Sequence, residues 1–333
     1  MKEFRDYDIH HPQLIVELLE YFDTENESVR LDQKTVIDFC CKFNNSNCTI
    51  SNEIQPNIIV KICDILCQNN LLLSVTRDGI FGSMNNYAFI MNDRNSWKLS
   101  RDYYINSYNS LVYGFEYVYK IYKDIVLPII ACDNKGQQYM GTCFKFHKGI
   151  VTARHCLTDG CKIMIKGYSA KTLNKAIVYV SKNRNVDIAY IHLNEETQIF
   201  ATEPKVLDEV LVMGYPMIPR FLGFCTAEKA TISTIANLRM TPSRGSIAAI
   251  ADEMFTKDVT ELMLITAKIK GGNSGGPVIN KDGCVVGVSF SDAKGEGESY
   301  DDLGYGIACP ISILDKVVAE RETLDVTFVD FEE

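Results

Sequence analysis

The chain predicts a multidomain protein: a mainly helical α+β domain over residues 1–123, an all-β domain over residues 124–322, and a tail over residues 323–333. Three observations carry this reading. Apolar residues recur at helical spacing in the first third of the chain. Eleven short strand-like segments with turns every 8–15 residues follow from about residue 126. Among those strands lies one glycine-rich stretch built around a single serine, IKGGNSGGPVIN at residues 269–280.

In the first domain, HPQLIVELLEYF (11–22), LDQKTVIDFCCKF (31–43) and IQPNIIVKICDILCQN (54–69) carry the 3.6-residue period of amphipathic helices. LLLSVT (71–76) and YAFIMN (87–92) are strand-like and are separated by the turn residues of RDGIFGSMNN. RDYYINSYNSLVYGFEYVYKIYKDI (101–125) reads as one tyrosine-rich helix. Its Tyr103, Tyr104, Tyr108, Tyr113, Tyr117 and Tyr119 supply amphipathic surface suited to a protein partner or to packing. Three helices followed by a hairpin resemble a winged-helix domain.

Charge narrows the partners. Residues 1–123 hold 12 Lys and Arg against 16 Asp and Glu, and residues 124–333 hold 22 against 27. Neither half has the basic excess that phosphate contacts need, so nucleic acid is not expected as a partner. There is no long apolar run and no apolar leader after the charged start MKEFRDYDIHH, so a cytoplasmic protein without a membrane partner is expected. Twelve scattered cysteines without a regular framework then read as reduced thiols, with Cys63 and Cys67 in core packing. No metal-ligand spacing is present and no cofactor is expected.

The strand candidates of the second domain are VLPIIAC, YMGTCFKF, GIVTA, CKIMIKG, AIVYV, DIAYIHL, EVLVMGY, EKATIST, ELMLITAKI, CVVGVSF and GYGIACP. So many short strands imply a sandwich or a pair of barrels. ISILDKVVAERE (311–322) reads as a closing helix, and LDVTFVDFEE as a strand or a disordered tail.

The serine stretch carries the chemistry. Five of its twelve residues are Gly or Pro. Glycine allows φ > 0 and close backbone approach, and such a turn can offer its N–H groups to an anion. Ser274 is thus a candidate nucleophile, with a glycine-rich hairpin as the plain alternative. A serine nucleophile needs a base, and the base needs an orienting group. Of five histidines, His10 and His11 precede the first helix, His147 sits in the turn-like FHKG and His192 lies inside a strand. His155 instead follows a strand end in GIVTARHCL. In NRNVDIAYIHL, Asp187 lies between Val186 and Ile188, where a carboxylate is either buried with a partner or a water-facing strand start.

Taken together, TARHC, NVDIAYIHL and GGNSGGPVIN resemble the three signature segments of trypsin-like (chymotrypsin-fold) serine peptidases, most of all the minimal HtrA/Deg-like type. The resemblance covers about residues 126–322 and implies two six-stranded barrels. It implies a triad of His155, Asp187 and Ser274, with an oxyanion hole from the Gly272 and Ser274 amides. It places Lys268 at the position that sets primary specificity, with Ile269 as an alternative pocket wall and Asp301 and Asp302 as rival acids. It also places a Ser or Thr behind the aspartate, for which VGVSFSD offers Ser289 and Ser291 around Phe290. Cys143 and Cys156 are expected as free thiols. Asn273 stands where digestive relatives carry an aspartate that pairs with an inserted amino terminus, so an uncut chain is expected to form its oxyanion hole.

The function so implied is a serine endopeptidase acting on protein or peptide substrates. Its N-terminal domain would contact a regulatory partner, in the manner of an effector of a bacterial stress or defence system. The other readings are a catalytically silent protease-fold binding module and a self-cleaving winged-helix regulator.

Overall fold

The computed structural model describes residues 7–25, 34–47, 52–76, 85–90, 100–157, 160–216, 239–252, 261–294 and 302–330. The expected turn at 77–84, the expected strand at 228–234 and Asp301 lie outside these residues. The chain divides into two compact units, Met1–Tyr117 and Val118–Glu333.

The first unit is helical with one small sheet. Helices Leu14–Phe22, Val36–Asn47 and Pro56–Gln68 bury the apolar positions that their periodicity marks, among them Leu18, Phe39 and Ile62. Strands β1 (Leu73–Thr76) and β2 (Asn86–Ala88) pair antiparallel, Leu73 opposite Ala88. Isolated bridges from Asp23 to Phe89 and from Thr35 to Asn86 tie the strand end to the helical part. Where the sequence reads as one helix through 101–125, the structure has two, Arg101–Tyr113 and Phe115–Tyr122. The break is Gly114, whose φ of 67° cannot continue a right-handed helix.

The second unit holds two β assemblies. Strands β3 (Val126–Cys132), β4 (Gln138–Thr152), β5 (Lys162–Ile165), β6 (Ile177–Val180) and β7 (Ala189–Thr197) form most of the first. The segments YMGTCFKF and GIVTA are continuous in β4, with His147 at φ 49° where the register to β7 shifts. The tail supplies the sixth strand: β14 (Thr327–Phe328) pairs parallel with β5, giving the order β14-β5-β3-β4-β7-β6. Thr323 also bridges to Tyr179 on β6, so the tail spans the gap between the two outer strands. Phe328 is buried in a core with Ile129, Ile150, Ile163 and Ile191.

The second assembly is a closed barrel in the order β10-β13-β12-β11-β8-β9. Its strands are β8 (Glu209–Gly214), β9 (Thr241–Asp252), β10 (Glu261–Ile265), β11 (Pro277–Asn280), β12 (Val285–Lys294) and β13 (Asp302–Pro310). Val212, Ile247, Met263, Val278 and Val286 fill it. Strand β9 was not among the sequence candidates: TPSRGSIAAIAD is polar in its first half and lacks the apolar run that marks the others. Helix Ile313–Glu320 follows β13. The second assembly is thus a closed six-stranded barrel, whereas the first is a six-stranded sheet whose strand order does not close, which corrects the expectation of two closed six-stranded barrels.

Candidate active site

Strand β4 ends at Thr152 and the chain turns through a 3-10 segment, Arg154–Leu157, closed by the Cys156 N–H on Ala153 O at 3.0 Å. His155 sits in this turn. Asp187 lies two residues before β7, between buried Val186 and Ile188. Its carboxylate holds His155 at two points. Oδ1 accepts the His155 backbone N–H at 2.9 Å, and Oδ2 lies 2.5 Å from Nδ1. The Asp187 side chain is 18% exposed and that of His155 is 51% exposed. The burial of the acid is therefore matched by partners, and the water-facing alternative does not describe it. This hydrogen bond holds the His155 pKa above the ordinary histidine value, and burial opposes it only in part.

Ser274 lies in the turn between β10 and β11. Its carbonyl accepts the Thr142 N–H at 2.8 Å and lies 3.5 Å from Cys156 Sγ, which brings the turn to the residue beside His155. Its hydroxyl donates to Phe290 O at 2.9 Å. The peptide units around it are fixed one after another. Gly272 O accepts from the Thr142 hydroxyl at 2.7 Å, and the Asn273 N–H of the same unit donates to Lys270 O at 2.9 Å. Asn273 O accepts from Ser289 Oγ at 3.0 Å and from the Gly276 N–H at 2.9 Å. The Gly275 N–H donates to Ser289 O at 2.6 Å. Among the described residues, the Gly272 and Ser274 amides have no protein acceptor.

Glycine is needed here for two physical reasons. Gly272 takes φ 99° at the third position of the turn closed by Asn273 and Lys270, a type II signature. Gly275 packs so closely that an added Cβ would lie 2.1 Å from Thr142 O.

The other singled-out residues fall in different places. Lys268 is exposed, and Ile269 is buried against Gly306, where its Cδ1 would meet an added Cβ at 2.5 Å. Ser289 is fully buried and braces the turn through Asn273 O and Gly276 O. At 0% exposure its hydroxyl does not line a substrate site, contrary to expectation, and of the open choice between Ser289 and Ser291 behind Asp187, the Ser289 hydroxyl bonds the serine turn instead. Phe290 presents its carbonyl to Ser274. The side chains of Ser291 and Asp302 lie outside the described residues. Cys143 and Cys156 are both free thiols. Asn273 is 3% exposed, and its Oδ1 has no hydrogen-bond partner among the described residues. No group of three His, Cys, Asp or Glu side chains among the described residues could hold a metal ion.

Sequence reasoning missed Thr142 and Thr152, which are both fully buried and hydrogen-bonded to each other. Their one signal is two threonines inside otherwise apolar strand segments.

With the geometry in hand, residues 140–288 match the family model described as "Trypsin-like peptidase domain". Among characterised proteins, Serine protease Rv3671c of Mycobacterium tuberculosis is 32% identical over 124 residues, 36% of this chain and 28% of that protein. Protease Do-like 2, chloroplastic, of Arabidopsis thaliana is 26% identical over 194 residues, 55% of this chain and 28% of that protein. The chain thus spans less than a third of the length of these relatives. The active form of the Rv3671c protease crystal structure aligns at a TM-score of 0.46 and 21% identity, over 64% of this chain and 88% of that one.

Proposed function

We propose that this chain, whose residues 140–288 are a trypsin-like peptidase domain similar to HtrA-type proteases, is a serine endopeptidase working through His155, Asp187 and Ser274. The observation that carries the reading is a serine turn with its peptide units fixed and two amides left over, beside a histidine gripped by a carboxylate.

In the resting state the Ser274 hydroxyl donates to Phe290 O. With substrate bound it turns from that carbonyl toward His155 Nε2. Oγ attacks the scissile carbonyl carbon as the imidazole takes the proton. The carbonyl electron pair moves to oxygen, and the Gly272 and Ser274 amides receive the negative charge. The imidazolium then protonates the leaving amine, the C–N bond breaks, and an ester to Ser274 remains. Water repeats the sequence and frees the enzyme. Asp187 keeps the Nδ1 proton in place and stabilises the imidazolium.

The packing of Ile269 against Gly306 and the outward Lys268 support a shallow apolar primary pocket that takes small or medium apolar side chains. The reading includes a regulatory or targeting role for the first compact unit through a protein contact, with its own internal packing as support, and a cytoplasmic location as the sequence leads us to expect. Reaction of the full-length chain with a fluorophosphonate tests the activity. Labelling at Ser274, lost in Ser274→Ala, is expected; a wild-type chain that neither labels nor cleaves peptides overturns the reading.

A further inference from the structure

We propose that Thr142 is a positioning residue for the oxyanion turn, an inference that rests on the serine peptidase reading. Thr142 lies on β4 of the first assembly and is fully buried. All four of its hydrogen-bonding functions are engaged. Its N–H donates to Ser274 O at 2.8 Å, and its carbonyl accepts from Thr152 Oγ1 at 2.7 Å. Its hydroxyl donates to Gly272 O at 2.7 Å and accepts the Tyr215 N–H at 2.9 Å.

The hydroxyl thus hydrogen-bonds neither the nucleophile nor the base. It reaches the one carbonyl that sets the direction of the Gly272–Asn273 peptide. A carbonyl and the N–H of its unit point opposite ways, so a donor on Gly272 O and an acceptor on the Asn273 N–H hold that plane at both ends. The preceding unit, Gly271–Gly272, carries the first oxyanion amide and has neither end bonded among the described residues. Its orientation follows from the Gly272 dihedrals, and these are held from the far side by the Thr142 hydroxyl. Ser289 does the same for Asn273 O from the second barrel. The Thr142 hydroxyl is itself aimed by the Tyr215 N–H, which occupies its acceptor side and leaves its proton for Gly272 O. Tyr215 is in turn anchored by its own hydroxyl on Val126 O at 3.1 Å.

The test compares Thr142→Val with Thr142→Ser in the full chain. Valine keeps the shape and loses the hydroxyl, whereas serine keeps the hydroxyl and loses a buried methyl. In Thr142→Val, kcat and the second-order rate of fluorophosphonate labelling are expected to fall about 10²-fold, the scale of one lost oxyanion donor. KM is expected to stay within a few-fold, and final labelling to reach one per chain. The affinity of a peptide boronate, which mimics the tetrahedral state, should fall by the factor lost from kcat/KM, while that of a cleaved product peptide should not change. Thr142→Ser should restore kcat to within a few-fold even where it melts lower than the valine variant. If the valine variant does not fold, Thr142→Ala against Thr142→Ser isolates the hydroxyl at equal methyl loss, and the same 10²-fold split is expected. Equal kcat in the hydroxyl-bearing and hydroxyl-lacking variants overturns the proposal. So does a loss confined to the fraction of chains that label. A wild-type chain unreactive at Ser274 overturns the peptidase reading instead, and this inference with it.

Discussion

The His155 turn and the Ser274 turn are held by different physics. His155 is about half exposed and is fixed by one carboxylate at two points. The Ser274 turn is fixed by a chain of backbone carbonyls and amides with two buried hydroxyls, and no charged group takes part in those bonds. The first arrangement responds to pH and to the loss of one charge. The second responds to volume and to the loss of one hydroxyl. On the proposed mechanism, a site divided this way can tune its base without disturbing its anion trap.

If the proposed mechanism holds, the comparison breaks most completely at Ser274 and His155. Ser274→Ala and His155→Ala are each expected to lower kcat by about 10⁶-fold, and the double variant by scarcely more, because they act as one unit. Steady-state hydrolysis of a peptide ester by all three variants checks this, and near-additive losses would separate the two residues.

Asp187→Asn removes the charge and keeps the shape, and a drop of about 10⁴-fold in kcat is expected. It also carries the sign of the pH response. The base must be neutral, and Asp187 raises its pKa, so kcat/KM rises with pH through a midpoint above the usual histidine value. In the asparagine variant that midpoint moves down. An unchanged midpoint would mean that another group titrates.

On the other side of the comparison, Gly275→Ala forces a methyl into Thr142 O at φ 86°. Labelling should slow by about 10²-fold or more, with the His155 pH midpoint unmoved. A shifted midpoint would show that the two turns are coupled. The smallest expected effect on chemistry comes from the far side of the first assembly. Phe328→Ala empties a buried site and should cost about 3–5 kcal/mol of stability by denaturant unfolding, with kcat unchanged in the folded fraction.

The residues differ in how far sequence reveals them. His155, Asp187 and Ser274 stand out because each breaks its surroundings: a base at a strand end, an acid among apolar residues, a serine among glycines. Thr142 is legible only as a small polar residue in a strand, and its role depends on a loop 130 residues away in the chain meeting it. Ser289 and Ser291 cannot be told apart from sequence because residues two apart share a face of a regular strand, and only the bulge in β12 between them, which no local pattern marks, moves the register. The single helix over 101–125 failed at Gly114, where one positive φ outweighs continuous amphipathic spacing. β14 has only a short alternating pattern, and its pairing with β5 is set by packing that no local pattern encodes.

That last pairing sets a schedule for synthesis. When residue 197 is added, β3 to β7 have been made, yet the Glu322 carbonyl that meets Val180 and the Val329 amide that meets Ile163 are more than a hundred residues behind. At about 5–20 residues per second, the wall that carries His155 and Asp187 waits on the order of ten seconds for its last strand. The closed second barrel needs nothing beyond β13 and can form earlier. The turn that holds Ser274 thus precedes in sequence the tail segment that completes the sheet beside His155 and Asp187.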